Sequence, residues 1–295
     1  MSIRRIAIVG GSGQLGSALV AAFAGREVHA PPHAELDLED RSGLAAFLDR
    51  TQPELLINCA AFHHVDTCER EPERAFAVNA LAVDRAAEAC AARGVAFATI
   101  STDYVFDGTH GRAYREDDAP NPRTAYGVSK LAGELLTRRH GPRFFVFRTS
   151  GVFGDIGTSS KGYTLIEKVL GQAERGEPTR MVADMTFSPT YAPHAARAIR
   201  DAVDAEAFGL HHLTNAGACT WYDFVRTAFE KAGLGGAPLE PVAYGSFGNP
   251  TPRPMYSPLE NTTFARAGIT PLPPWETALD TFITVRRERL AASKA

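Results

Sequence analysis

The sequence predicts an α/β protein: a parallel sheet wound on both faces by helices, followed by a smaller and more irregular C-terminal lobe. Three observations predict it. Short, apolar, partly β-branched runs alternate with long alanine-rich helical patterns through the first half of the chain. A glycine-rich turn joins the first of those runs to the first helical pattern. After about residue 150 the alternation loosens and Gly and Pro become frequent.

Ile3–Val9, Leu55–Asn58, Val95–Ile100 and Phe144–Phe147 have the length and composition of buried strands. Gln14–Ala24 and Glu73–Arg93 are helical in spacing, with Pro72 suited to a helix start and Gly94 to a stop. Phe247–Pro258 carries several prolines, which cannot join a central strand. The expected division is a dinucleotide-binding domain over 1–150, to which about 192–214 returns, and a substrate lobe made of 151–191 and 215–295.

Composition narrows the function classes. The 295 residues carry 31 basic and 34 acidic side chains, and a net charge of -3 gives no electrostatic reason to expect nucleic acid. No uncharged apolar run approaches the ~20 residues of a membrane-spanning helix, so no membrane partner is expected. The basic start Met1–Arg5 resembles a secretory leader, but Ile6–Val9 meets glycines too soon. Cys59, Cys68, Cys90 and Cys219 show no CxxC spacing. A reduced, cytoplasmic protein is expected. Cys59, His63, His64 and Cys68 are ligand types within one short stretch, yet no ordered spacing supports zinc.

The first strand runs into Gly10-Gly11-Ser12-Gly13-Gln14-Leu15-Gly16, which fits G-x-G-x-x-G through Gly11, Gly13 and Gly16. Glycines there let the chain turn tightly and let a pyrophosphate approach the free N–H groups of a helix N-terminus. The context, strand then turn then helix, makes this a Rossmann-type fingerprint. An NAD-selective site ends its second strand with Asp or Glu on the ribose 2′-hydroxyl. Glu27-Val28-His29-Ala30-Pro31-Pro32 offers no acid at that end, and His29, His33 or Arg26 could assist a 2′-phosphate. NADPH is therefore favoured over NADH. Asp37 comes later and faces the adenine side in this reading, and Asp40 or Ser42 would cap the next helix.

Tyr126 and Lys130, four residues apart in a helical pattern, share one face. A neighbouring ammonium favours phenolate and moves a tyrosine pKa toward the working range. With eight tyrosines and five lysines in the chain, chance gives about 0.14 such pairs. Upstream, Ser101 and Thr102 close a strand at its carboxyl end, where ligands of open α/β sheets gather. A hydroxyl there can bind a substrate oxygen beside Tyr126.

With these motifs assembled, the chain resembles the extended short-chain dehydrogenases and, within them, the dTDP-4-dehydrorhamnose reductase family. The resemblance is carried in order by GSGQLG at Gly11–Gly16, INCAAF at Ile57–Phe62, VDTCE at Val65–Glu69 and VNA at Val78–Ala80. STDYVFDG at Ser101–Gly108, YGVSKLAGE at Tyr126–Glu134, RTSGVFG at Arg148–Gly154, SPTY at Ser188–Tyr191 and RPMYSPL at Arg253–Leu259 follow. It implies hydride transfer from NADPH or NADH to the 4-keto carbon of a nucleotide-activated 6-deoxysugar, in dTDP-L-rhamnose biosynthesis. Tyr126 would supply the proton, Lys130 would tune Tyr126 and bind the nicotinamide ribose, and Thr102 would hold the carbonyl. Gly11, Gly13, Gln14 and Leu15 would take the pyrophosphate, Asp37 and Leu38 the adenosine side, and Ala60 and Ala61 the nicotinamide ribose. Gly10, Asn79 and Ser101 complete the implied cofactor set. His63, Val65, Asp103, Tyr104 and Gly151 fall near the expected sugar, and a homodimer is the assembly the resemblance allows.

The chain departs from the family pattern at two sugar-side positions. His63 stands where a threonine is usual and Gly151 where a tryptophan is usual. Losing an indole removes a large contact surface, so the pocket is expected to be wider, or refilled by Phe153, Tyr163 or a second-lobe loop. Some members bind Mg²⁺ through a glutamate just after the glycine loop; Ser17-Ala18 predicts no such site here. Related dehydratases place a second acid after Asp103, where this chain has Tyr104. A 4-epimerase and a non-catalytic, dinucleotide-binding regulatory subunit are the alternative readings.

Overall fold

A computed structural model of the chain describes residues 3–155, 164–248 and 251–293. The first half alternates strand and helix: β1 (Arg5–Val9), α1 (Gln14–Ala22), β2 (Glu27–His29), α2 (Arg41–Thr51), β3 (Leu55–Asn58), α3 (Val65–Arg70), α4 (Pro72–Phe76), α5 (Ala82–Ala91), β4 (Ala96–Thr102), α6 (Ala125–Arg138) and β5 (Phe144–Thr149). The second half holds β6 (Val152–Phe153), α7 (Leu165–Glu174), β7 (Thr179–Val182), β8 (Thr186–Phe187), β9 (Thr190–Tyr191), α8 (Ala192–Asp204) and β10 (Gly209–His212). It continues with β11 (Cys219–Thr220), α9 (Trp221–Ala232), β12 (Leu239–Val242), α10 (Thr263–Arg266) and α11 (Trp275–Ala292).

The central sheet has six strands in the order β2-β1-β3-β4-β5-β10, all parallel. Alternation within each strand sorts its side chains to opposite faces. Ile6 and Ile8 of β1 join the core under α1 and α8, with Leu19, Phe23, Ile199 and Val203. Ala7 and Val9 join the opposite core under α2 and α5, with Leu44, Phe47, Val83 and Ala86. Both faces are covered, which is why these strands read as continuous apolar runs. Strand order reverses between β1 and β3, so their carboxyl ends form the switch-point crevice of the fold.

The pattern over Glu73–Arg93 is not one uninterrupted α-helix. A π-helical turn at Ala77–Leu81 separates α4 from α5. The wider turn carries Asn79 inward, where it is 1% exposed and bonds both the N–H and the C=O of Phe62. That tie fixes the loop after β3, and π turns recur at functional sites.

A separate apolar core, built from α7, α9, α11 and short strands, organises the second lobe around Phe153, Leu170, Phe224, Phe229 and Phe282. Among the described residues no helix is long and apolar enough to cross a membrane.

Candidate active site

The glycine loop shapes a cradle. Gly10 takes φ +77° and its carbonyl accepts from Gly13 N–H at 3.1 Å. A Cβ on Gly16 would overlap that carbonyl, so only glycine lets α1 pack this tightly on the loop. Gly13 caps α1 with no side chain, leaving first-turn N–H groups for an anion. Gln14 Oε1 is buried without a hydrogen-bond partner among the described residues. A backbone cradle and an uncapped helix start, both offering N–H donors, fit a dinucleotide pyrophosphate. Ala60 N–H lies against Gly10 and is held by Asn58 Oδ1 at 2.9 Å, which brings Ala60 and Ala61 to the same crevice.

The adenosine end differs in detail from the sequence reading. Arg26 is not free for a 2′-phosphate, because it sits at the amino end of β2 with its guanidinium held by Asp204 at 2.6 and 2.7 Å. His29 is paired with Glu27 at 3.0 Å, and His33 stays exposed near Asp37. Asp37 Oδ1 accepts from Glu39 N–H, while the Leu38 and Leu15 side chains are buried in the core. Those leucines can meet a cofactor only through backbone. Asp40, not Ser42, caps α2.

Helix α6 is placed from both ends of its first turn. Thr124 Oγ1 accepts from Gly127 N–H at 2.9 Å, and Glu69 Oε1 accepts from Ala125 N–H at 2.5 Å. A Cβ on Gly127 would overlap the Tyr104 carbonyl, so glycine allows the helix to touch that backbone. The contact sets the Tyr126 ring edge-on to Tyr104, centroids 5.7 Å apart at 73°. Lys130 follows one turn later, 4% exposed.

The electrostatics correct one expectation. Lys130 does not draw Tyr126 toward phenolate: burial pushes the phenol well above its ordinary value, the Thr102 hydroxyl opposes this, and Asp103, Tyr104 and Cys68 add to the rise. Burial lowers Lys130 to about 8, with Glu134 and Cys59 opposing. Desolvation sets the direction for both groups because both are buried. A buried, protonated phenol can serve as a proton donor.

Two residues of the distant Arg253–Leu259 segment complete the wall. Ser257 Oγ donates to Asp103 Oδ2 at 2.6 Å, and Thr102 Oγ1 donates to Asp103 Oδ1 at 3.1 Å. Burial raises Asp103 to about 6, against the hydrogen bonds from Ser257, Ser150 and Thr102. Arg253 pairs with Asp66 at 3.2 Å and donates to the Tyr104 hydroxyl at 3.4 Å. Neither Arg253 nor Ser257 stands out locally as a site residue, since what matters is the long sequence separation that the fold closes. The sequence reading also misses Glu134 and Phe187; Glu134 has a signal, lying four residues beyond Lys130.

Thr102, Asp103, Tyr104, Tyr126 and Lys130 are brought together. Ser101 turns away from them: its hydroxyl donates to Glu134 Oε1 at 2.5 Å in a buried network. Asn79 bonds Ser129 Oγ and Phe62 and so supports the site from behind. His63 is exposed, Val65 opens α3 half-buried, and Cys68 Sγ donates to the Phe62 carbonyl. Among the described residues no group of three or more His, Cys, Asp or Glu could hold a metal ion. Gly151 leaves no opening: it takes φ +49°, and a Cβ there would overlap the Phe187 ring. Phe187 stacks on Trp221 with centroids 3.8 Å apart. The refill comes from β8, not Phe153, and Tyr163 lies outside the described residues.

The model of the RmlD substrate binding domain matches residues 4–287, both lobes included. The chain belongs to the RmlD family. It is 35% identical over 284 residues to the spore coat polysaccharide biosynthesis protein SpsK of Bacillus subtilis, covering 96% of this chain and 98% of that one. It is 36% identical to the dTDP-4-dehydrorhamnose reductase of Mycobacterium tuberculosis, covering 94% and 91%. The dTDP-4-dehydrorhamnose reductase of Bacillus anthracis, solved in complex with NADP, matches the fold with a TM-score of 0.91 at 29% identity, covering 96% and 99%. The RmlD match takes in Arg253 and Ser257, so the second-lobe contacts to Tyr104 and Asp103 lie within the family's own span.

Proposed function

We propose that this protein is an NADPH-dependent reductase of the 4-keto group of a nucleotide-activated 6-deoxysugar, with dTDP-4-dehydrorhamnose, for which several of its relatives are named, as the first substrate to test. The observation that carries the reading is the convergence of Thr102, Tyr126 and Lys130 at the carboxyl ends of β3 and β4, beside a cradle suited to a backbone-bound pyrophosphate. Gly10, Gly11, Gly13 and Gln14 hold the pyrophosphate, and Ala60, Ala61 and Lys130 the nicotinamide ribose. Bound NADPH supplies a hydride to the sugar's C4.

Tyr126 gives its phenolic proton to the carbonyl oxygen as charge develops there. Lys130, buried one turn away, stabilises the phenolate left behind. Thr102 positions the carbonyl by turning its one hydroxyl proton from Asp103 Oδ1, to which it donates in the free protein, onto the substrate oxygen. His63 and Val65 flank the sugar. Tyr104 occupies the place a second acid would need for elimination, which supports simple reduction.

The test is an NADPH-oxidation assay across a panel of 4-keto-6-deoxy nucleotide sugars, run with product analysis. Stoichiometric oxidation with a 4-hydroxy product supports the reading. Interconversion of 4-hydroxy epimers without net NADPH use would show an epimerase, and cofactor binding without turnover a regulatory subunit.

A further inference from the structure

Tyr126, Lys130 and Glu134 follow one another at four-residue spacing, so they line one face of α6. The last of them has no part in the chemistry above, yet it is the most buried carboxylate near the site, 1% exposed. Arg148, 2% exposed, meets it with two parallel bonds, Nε to Oε1 at 2.9 Å and Nη2 to Oε2 at 2.7 Å. Ser101 Oγ adds a third bond to Oε1. Ser101 and Arg148 are direct partners across β4 and β5, so the sheet register aims both at the same carboxylate. The guanidinium also lies over the Phe106 ring, 5.1 Å from its centroid.

A buried ion pair is poor stabilisation, because desolvating two charges offsets their attraction. Apolar residues would fill this space at least as well for stability alone. What an apolar pair could not do is place a fixed negative charge one helical turn behind a buried lysine.

We propose that Glu134 is the positioning residue that keeps Lys130 charged, and that Arg148 and Ser101 set how much of the carboxylate's charge the lysine receives. Lys130 shares a helix face with Tyr126 and Glu134, Glu134 and Cys59 just after β3 act on its charge, and Arg148 of β5 pairs with Glu134. Asp103, Tyr104 and Cys68 act on Tyr126. Among these, Cys59 keeps its proton, its thiol pushed up to about 12 by burial, so Glu134 is the one fixed anion acting on the ammonium. Removing that carboxylate leaves desolvation opposed by Cys59 alone, and the neutral amine is favoured. Removing Arg148 instead leaves the carboxylate unshared and favours the ammonium. The two changes therefore move Lys130 in opposite directions, which a structural role alone would not do.

The importance of Lys130 rests on the reductase reading; its titration does not. The experiment is an NMR titration of the lysine ¹³Cε signals in cofactor-free, full-length protein, with Lys130 assigned by K130R. The wild-type midpoint is expected near 8. Glu134→Gln should lower it by about one pH unit or more, a tenfold change in the ratio of charged to neutral amine, and Arg148→Met should raise it. The alkaline limb of kcat/KM should move in step. A folded Glu134→Gln with an unchanged midpoint, or both variants moving the same way, overturns the proposal. Should Glu134→Gln fail to fold, Arg148→Met decides alone: a midpoint that stays or falls overturns it. Absence of turnover on every sugar would sink the reductase reading and leave the lysine midpoints to judge this one.

Discussion

Gly151 and Phe187 claim the same space: the Phe187 ring from the second lobe lies where a side chain on residue 151 would begin. The ring is 4% exposed and backed by Trp221, so it is a packed part of the lobe junction. Gly151→Ala must both adopt φ +49° and displace that ring. It should cost about 2–4 kcal/mol, read as a lower urea midpoint at unchanged slope. Gly151→Trp should be worse and should not sharpen sugar selectivity. A tryptophan variant of wild-type stability would show that Phe187 moves aside freely.

Tyr126→Phe keeps the edge-on packing against Tyr104 and removes the transferable proton. Turnover should fall ~10²–10⁴-fold, the range of general acid–base catalysis, while NADPH affinity changes little. Single-turnover hydride transfer measures it directly. A phenylalanine enzyme with near-normal single-turnover rate would remove Tyr126 from the chemistry.

At the adenosine end no carboxylate closes β2, since Glu27 faces His29 and Asp37 is bonded to Glu39 N–H. NADPH should therefore bind at least as tightly as NADH. The comparison is a fluorescence titration of each at fixed ionic strength. With Arg26 tied to Asp204, the margin should be modest and should shrink in His33→Ala. A clear preference for NADH would mean that Asp37 swings onto the ribose.

Asp103 gives a pH signature in stability. Burial lifts its folded pKa to about 6, above the ~3.9 of an exposed aspartate. Such a group favours the fold while protonated, and that contribution fades as pH rises from about 4 through 6. The gap between folded and unfolded protein is worth on the order of 3 kcal/mol. Asp103→Asn cannot ionise, so its stability relative to wild type should climb by that order between pH 4 and pH 7. Denaturant midpoints at both pH values check this, and a difference that does not vary with pH would contradict it.

The α/β architecture was legible because it is written in local terms. Strands buried on both faces must be continuous apolar runs, and a glycine cradle must follow β1 directly, so Ile6–Gly16 announces its own structure. Tyr126 and Lys130 were legible for the same reason, since helical spacing alone puts them on one face. Other features depended on groups far apart in sequence. The helical pattern over Glu73–Arg93 conceals a π turn because its cause, the bonds of Asn79 to Phe62, lies outside the pattern. Nothing beside Ser257 or Arg253 reveals that they reach Asp103 and Tyr104. The direction of the Tyr126 shift also needed the fold: spacing supplies the neighbouring lysine, but the rise comes from burial, a property of everything packed around the ring. Sequence determined which groups are near through the chain. Tertiary structure decided which are dry, and desolvation sets the chemistry of charged groups more strongly than a single neighbour does.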